Sequence, residues 1–274
     1  MKIIIAAPAY TDESGGIMCL HHLSDVLATK GIDAHIASET TFEGNRAKLI
    51  PWIFGTDAPG LIDTSIPVVY PEVTFGNPLN SSRCIRWLLN APGIIDGPTE
   101  FPEEDLLFAW GDRCHPKPPR KVDGYLRIFE PRLDLFQDEG HNRKGWLTLF
   151  HKGKPYRYHI PGARNIDQDK VRGLEHMADI FKRAKVLISY DPNTFTSVHA
   201  ALSGCLSIVA PIKGISAKQQ RQESWYHKYG IAYGYADIPR AIRTLPKLRP
   251  FLEEQKRESH KTVDAFIERV KDWV

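Results

Sequence analysis

The chain has 274 residues, of which 42% are hydrophobic and 25% are charged, and this composition is typical of a soluble globular protein with one large or two small domains. No segment approaches the roughly 18 apolar residues needed to span a bilayer, and the first residues lack the basic start and cleavage site of a signal peptide. We therefore expect a cytoplasmic protein.

The positive charge is small but unevenly spread. The formal net charge of +3 does not indicate nucleic-acid binding by itself. Basic residues gather in "HPKPPRK" and in "RKGWLTLFHKGKPYRYH", which favours an anionic ligand or surface, although a solvated loop gives the same pattern. The four cysteines lie far apart without a CxxC pair, so we expect buried free thiols rather than a zinc site or disulfides.

The first half of the chain reads as a β-loop-α-β unit that opens a doubly wound sheet. "KIIIAAP" is suited to a buried parallel strand, residues Ile17 to Lys30 have helical apolar spacing, and "IDAHIAS" supplies the next strand. Further strands are predicted in "IPVVYPEV", "DLLFAWG" and "GYLRIFEP", with a short amphipathic helix at Ser82 to Asn90. We place this N-terminal domain at residues 1–143.

The alternation of strands and helices then begins again. Strands are predicted in "GWLTLFHKG", "KVLISY" and "CLSIVAP", and a helix at Gln168 to Ala184. This second domain covers residues 144–250, and residues 251–274 form a C-terminal helix that could pack back on the first domain. The predicted fold class is α/β, of GT-B type, with two Rossmann-like doubly wound domains facing across a cleft.

The stretch "SYDPNTFTSVHAALSGC" follows one of these strands. "DPN" supplies a turn, Asn193 or Thr194 can cap a helix, and Gly204 can end it. The helix would then begin at the carboxyl end of the sheet, where backbone N–H groups suit a pyrophosphate and where Thr194 and Thr196 add hydroxyl donors. A helix that is merely capped and packed remains the alternative.

The same stretch resembles the retaining GT-B glycosyltransferases of the family 4 type (group 1). Those enzymes have an acidic residue after a strand, seven further residues, a glutamate, and an alanine-rich helix leading to Gly-x-Pro-Val-Val. Here seven residues separate Asp191 from His199, and "AALSGCLSIV" follows. "SGGI" resembles the glycine loop of the family, and "GIAYGYADIPRAI" resembles its segment before the late helix.

The resemblance implies roles for particular residues. Asp191 would contact the donor sugar, and His199, which replaces the family's glutamate, would contact the ribose hydroxyls. The diphosphate would lie beside basic residues, here Lys152 and Lys154 with Arg157 as a further candidate. Gly15 and Gly16 would let the backbone approach the donor from the other domain.

A general base is required only if the reaction inverts the anomeric centre. Asp12, Glu13, His21 and His22 lie around the glycine loop, and we take Asp12 and His21 with Asp191 as the catalytic candidates. The resemblance leans towards retention, which the residues leave open. No DxD sequence follows a strand, so we expect no metal and no cofactor besides the nucleotide-sugar substrate.

The leading hypothesis is a metal-independent glycosyltransferase acting on a glycan or lipid-linked acceptor in surface-polysaccharide assembly. Alternatives are a non-catalytic nucleotide-sugar-binding protein and a glucosyltransferase of modified DNA bases. No stripe of basic residues with interleaved aromatics supports nucleic acid as a partner. A dehydrogenase is disfavoured because the first βα turn lacks GxGxxG. Basic residues of the C-terminal helix could touch the inner face of a membrane, although acidic residues nearly cancel their charge.

Overall fold

The computed structural model describes residues 1–150, 160–167, 171 and 173–274, with the backbone alone for Glu223. The chain divides into two compact units. The first consists of Met1–Glu130 and Gln255–Val274, and the second is Pro131–Glu254. Residues 131–143, which the sequence analysis assigned to the N-terminal domain, therefore belong to the second unit.

The first unit contains a seven-stranded sheet. Its strands are β1 (Lys2–Ala6), β2 (Asp33–Ser38), β3 (Lys48–Pro51), β4 (Val68–Pro71), β5 (Cys84–Leu88), β6 (Leu106–Ala109) and β7 (Gly124–Tyr125). Their order is β3-β2-β1-β4-β5-β6-β7, and every neighbouring pair is parallel. Successive strands first move outward on one side of β1 and then on the other, so the sheet is doubly wound.

The first helix, α1 (Gly15–Thr29), follows β1 and covers one face of this sheet. Ser14 caps it, since the Ser14 hydroxyl accepts from the Ile17 amide, and Gly31 ends it at a φ of +80°. The buried apolar side chains of α1 are Leu20, Leu23 and Leu27, which join Ile3 and Ile5 of β1 in one core cluster. The amphipathic spacing read from the sequence therefore places α1 correctly.

Residues 82–90 contain strand β5 (Cys84–Leu88), and the prediction of an amphipathic helix there was wrong. All five residues of Cys84–Leu88 are buried. The Arg86 side chain is only 4% exposed and forms an ion pair with Asp105 at 2.7 Å. An arginine that is paired with a carboxylate can lie inside a sheet. The polar and apolar spacing of residues 82–90 therefore does not show that they form a helix.

The second unit contains a smaller sheet with helices between its strands. Its elements are β8 (Trp146–Leu149), β9 (Arg164–Asn165), α2 (Gly173–Arg183), β10 (Val186–Ser189), α3 (Thr196–Leu202), β11 (Leu206–Val209), α4 (Ala217–Glu223), β12 (Ile231–Tyr233) and α5 (Ile238–Thr244). The strand order is β12-β11-β10-β8-β9, again with parallel neighbours throughout. The predicted α/β class with two doubly wound parallel sheets is thereby confirmed.

The last helix, α6 (Leu248–Lys271), begins in the second unit and ends in the first. Its apolar residues Val263, Phe266, Ile267 and Val270 are at most 5% exposed and lie in the core of the first unit. Among the described residues, no helix has both the length and the apolar character required to cross a membrane.

Candidate functional site

The centre of the second sheet has the topology that forms ligand crevices. After β8 the chain moves to β9 on one side, and it then returns to β10 on the other side of β8. At such a switch point the loops beyond the two strands diverge, and open α/β sheets bind ligands there, outside the carboxyl ends of the strands. The stretch that begins at Tyr190 leaves β10 at this edge.

Asp191 lies two residues beyond β10 and is 5% exposed. Its Oδ1 accepts a hydrogen bond from the Asn193 amide at 3.0 Å, and its backbone carbonyl accepts one from the Ser189 hydroxyl at 2.9 Å. The carboxylate therefore shapes the turn in which it sits, and the two bonds hold it at the carboxyl edge of the sheet.

Thr194 lies two residues before helix α3, and Thr196 is the first residue of the helix. The Thr194 oxygen Oγ1 accepts from the Thr196 amide at 3.2 Å. The N-cap is Phe195, which makes no side-chain cap bond, so the prediction of Asn193 or Thr194 as the cap was wrong. This bond occupies one amide that the sequence analysis reserved for a phosphate. Thr194 is 7% exposed, whereas Thr196 is half-buried.

His199 lies one turn into α3 and is packed between two aromatic rings. Its imidazole stacks on Phe136 with centroids 3.8 Å apart and an angle of 8°, and it meets Phe195 edge-on at 4.8 Å. Burial, together with the nearby charge of Arg132, lowers the pKa of His199 to about 3, although the hydrogen bond with the Pro131 backbone acts in the opposite direction. The ring is therefore neutral, and its Nε2 is a buried nitrogen with no hydrogen-bond partner in the described part of the chain.

The turn at Asp191 is held from outside by a segment that the sequence analysis did not identify. We call residues 224–227 the clamp. The Ser224 hydroxyl contacts the Asn193 amide oxygen, the Tyr226 hydroxyl contacts the Asn193 carbonyl, and His227 Nε2 lies 3.0 Å from the Thr194 carbonyl. The bonded residues are far apart in the sequence, so residue spacing alone does not predict these contacts.

His227 is the buried centre of the clamp. Because Nε2 faces a carbonyl, it carries the proton, and Nδ1 then accepts from the Tyr233 hydroxyl at 2.8 Å. Burial lowers the pKa of His227 to about 4, while the Thr194 carbonyl and the Asp191 carboxylate act in the opposite direction. A neutral imidazole with both nitrogens bonded is suited to positioning the turn.

Two aromatic rings stack directly at the switch point. Phe150 follows β8 and Tyr190 follows β10, and their ring planes are 4° apart with centroids at 4.7 Å. The Phe150 amide donates to the Asp167 carboxylate at 2.5 Å, which ties the end of β8 to the residues beyond β9. Neither ring was predicted to belong to a site.

The glycine doublet Gly15–Gly16 forms the first turn of α1 in the first unit. A Cβ atom at Gly15 would meet nothing within 4 Å, and one at Gly16 would lie 3.7 Å from Leu89 Cδ1. The fold therefore accepts side chains at both positions. The predicted reason for the two glycines, the close approach of a ligand, stays a prediction.

The contacts of His21 do not fit the predicted general base. The side chain is fully buried, its Nε2 lies 2.9 Å from the Pro8 carbonyl and its Nδ1 lies 2.9 Å from the Thr41 hydroxyl. Burial lowers its pKa, and its two nitrogens join α1 to the segments that follow β1 and β2. Asp12 lies in the loop before α1 and is half-buried, and its assignment as a catalytic residue stays a prediction.

A buried carboxylate at the switch point of the first sheet was also missed. Glu72 directly follows β4, is 3% exposed, and accepts from the Leu89 amide at 3.0 Å and the Asn90 side-chain amide at 3.3 Å. Burial raises its pKa. These bonds join the ends of β4 and β5.

The predicted diphosphate ligands Lys152 and Lys154, with Arg157, lie outside the described residues. Within the described residues, no group of three or more His, Cys, Asp or Glu side chains could hold a metal ion. Asp191, Thr194, Thr196 and His199 share one strand-turn-helix of the second unit, while Asp12, Gly15, Gly16 and His21 belong to the first unit.

No protein-family model matches the chain, and no curated protein matches it. Among solved structures, the chain is similar to T4 phage BGT, whose crystal structure was determined in complex with its UDP-glucose substrate. The two are 11% identical, the alignment covers 100% of this chain and 97% of that one, and the TM-score is 0.46. A similarity this weak assigns no function to the chain.

Proposed function

We propose that this protein is a glycosyltransferase of GT-B type that transfers a sugar from a nucleotide-sugar donor to a glycan or lipid-linked acceptor in surface-polysaccharide assembly. The second unit would bind the nucleotide sugar, and the first would bind the acceptor. The reaction would need no metal ion.

The observation that carries the proposal is the position of Asp191. Its carboxylate is nearly buried just beyond β10, at the switch point of a parallel sheet, and the residue is held by one hydrogen bond to the carboxylate and one to its backbone carbonyl. A carboxylate there can accept hydrogen bonds from sugar hydroxyls, and Oδ2 is the oxygen that the Asn193 bond does not use. The stacked pair Phe150–Tyr190 adds a flat apolar surface at the same edge.

Rigidity at this turn is what catalysis requires of the site. A group that stabilises charge in a transition state is effective when it is held in place before the reaction. The clamp gives the turn three side-chain contacts to the residues after Asp191, and the Thr194 hydroxyl accepts from the first amide of helix α3. The predicted basic residues Lys152 and Lys154 would stabilise the negative charge on the leaving diphosphate.

A turnover assay tests the proposal. The protein is incubated with sugar conjugates of UDP, GDP, CMP, dTDP and ADP and with three acceptor classes: glycan primers, polyprenyl-linked sugars, and duplex DNA with hydroxymethylated bases. We expect release of one nucleotide with one of the first two classes, and its loss in Asp191→Asn. Transfer to DNA alone would replace the proposed acceptor, and donor binding without turnover would indicate a binding protein.

A further inference from the structure

A groove opens at the edge of the second sheet opposite to Asp191. Trp146 begins β8 beside Val186, the first residue of β10, whereas Ser189 at the other end of β10 precedes the turn at Asp191. The groove lies beside Trp146 and the last turn of α2 and has a volume of about 420 Å³. This volume falls within the range of small-molecule pockets.

Positive side chains dominate the groove. Lys144, Arg164 and Arg183 line it, and Asp179 is the acidic residue among the lining side chains. The backbone fixes two of these cations next to each other, because the Lys144 amide donates to the Arg183 carbonyl at 2.8 Å and the Lys185 amide donates to the Gly145 carbonyl at 3.1 Å. The groove therefore presents a positive wall to an anion, with the two cations on neighbouring backbone segments.

An exposed tryptophan lines the same groove. Trp146 is 40% exposed although it belongs to strand β8 of the second sheet. A flat aromatic face beside arginine and lysine is the combination with which proteins hold nucleotides, because the base stacks on the ring while the cations bind phosphate. Lys144 and Trp146 belong to the basic stretch "RKGW", whose charge the proposed donor site does not use.

We propose that this groove binds a nucleoside monophosphate unit, with its base on Trp146 and its phosphate against Lys144 and Arg183. The unit can come from a free nucleotide or from the end of a nucleic acid strand, since both present the same ring and phosphate. This site is separate from the donor site at Asp191 and does not depend on the proposed sugar transfer.

Tryptophan fluorescence tests the groove. The chain has six tryptophans, and Trp225 is also exposed at 38%, so the titrations use a Trp225→Phe background. AMP and a short oligothymidylate are the two probes. We expect saturable quenching that disappears in Trp146→Phe and weakens about tenfold in Lys144→Ala/Arg183→Ala, since each lost exposed ion pair contributes up to about 1 kcal/mol. Lys247→Ala, an exposed lysine outside the groove, should bind like the parent protein.

The two probes separate the two sources of the ligand. Quenching by both supports a site for free nucleotide, and quenching by the oligothymidylate alone supports a site for a strand end. Asp191→Asn is titrated in parallel, and we expect it to bind both probes like the parent protein. The proposal fails if neither probe gives saturable quenching, if quenching survives in Trp146→Phe, or if the double variant binds as tightly as the parent protein. Should the double variant unfold, the single changes Lys144→Gln and Arg183→Gln replace it, with about half the loss in binding free energy expected for each.

Discussion

The Nε2 atom of His227 donates a hydrogen bond to the carbonyl oxygen of Thr194 at 3.0 Å, across 33 residues of sequence. Through this bond the clamp holds the start of α3 and the turn that carries Asp191. The Tyr233 hydroxyl completes the arrangement by donating to Nδ1 of the same ring. The positions of Asp191 and Thr194 therefore depend on residues that lie on a different segment of the second unit.

Removal of the Tyr233 hydroxyl should destabilise the protein. In Tyr233→Phe the buried Nδ1 of His227 loses its donor, and the unsatisfied acceptor should lower the free energy of unfolding by about 1–3 kcal/mol. Urea denaturation at neutral pH measures the change. Tyr235→Phe is the matched control, because Tyr235 is 61% exposed and its hydroxyl stays accessible to water. Equal effects of the two substitutions would contradict the role given to His227.

Acid should weaken the folded state through two histidines. Burial lowers the pKa of His227 to about 4 and that of His199 to about 3, whereas the unfolded values are 6.5. Below pH 6.5 the unfolded chain binds protons that the folded chain does not bind, so stability is full above this pH and falls towards pH 4. The His227 contribution to this loss is about 3 kcal/mol.

His199→Phe separates one histidine from the other. The substitution keeps the stack on Phe136 and removes the titrating ring, so the loss of stability between about pH 7 and about pH 5 should become smaller. Urea unfolding at both pH values gives the difference. An unchanged pH dependence would show that His199 is protonated equally in the folded and unfolded chain. Weaker donor binding by a stable His199→Phe protein would support the predicted contact with ribose.

The ion pair between Arg86 and Asp105 should be costly to break. Both side chains are at most 6% exposed, and burial raises the pKa of Asp105 while the Arg86 guanidinium lowers it. Asp105→Asn leaves the guanidinium charge buried without its counter-ion, and we expect a loss of about 3–5 kcal/mol in the free energy of unfolding. The control is Glu258→Gln in the exposed Lys261–Glu258 pair, which should change stability by less than about 0.5 kcal/mol. A small effect of Asp105→Asn would contradict this account of β5.

The glycine doublet can be tested apart from the fold. Gly15→Ala and Gly16→Ala should leave the melting temperature unchanged or slightly raised, since neither new Cβ clashes. If the glycines allow a donor to approach, the same variants should lose donor binding or turnover. Gly97→Ala provides the contrast, because a Cβ there would lie 2.6 Å from the Glu72 carbonyl oxygen at a φ of +95°, and it should destabilise the protein by about 2 kcal/mol or more. Full donor binding in the first two variants would assign the doublet to the helix start alone.

The repeating elements could be predicted from the sequence because their signals are local. Each signal lies within a short segment: the isoleucines of β1, the leucines of α1, and the turn "DPN" after β10. The spacing of apolar residues within such a segment is read directly from the sequence. β5 could not be recognised in this way. Its arginine is neutralised by Asp105, 19 residues away, and a hydrophobic pattern does not reveal that pairing.

The same limit applies to the site. The sequence pointed to Asp191 and Thr194, because an acidic residue and a candidate helix cap after a strand form a local pattern. It did not point to His227, Tyr233 or Glu72, whose importance comes from partners distant in the chain. The sequence suggested His21 as a base, but burial and two hydrogen bonds give it a structural role that spacing does not show.

Calorimetric titration with nucleotides and nucleotide sugars tests the central claim, that Asp191 forms part of a donor site, most directly. The proteins compared are the wild type, Asp191→Asn, and Glu175→Gln as a control that removes an exposed carboxylate on α2. We expect one nucleotide sugar to bind saturably without added metal. Asp191→Asn should weaken binding of this nucleotide sugar more than it weakens binding of the free nucleotide, and Glu175→Gln should change neither. Absence of binding by every nucleotide sugar, or identical binding by Asp191→Asn and the wild type, would contradict it.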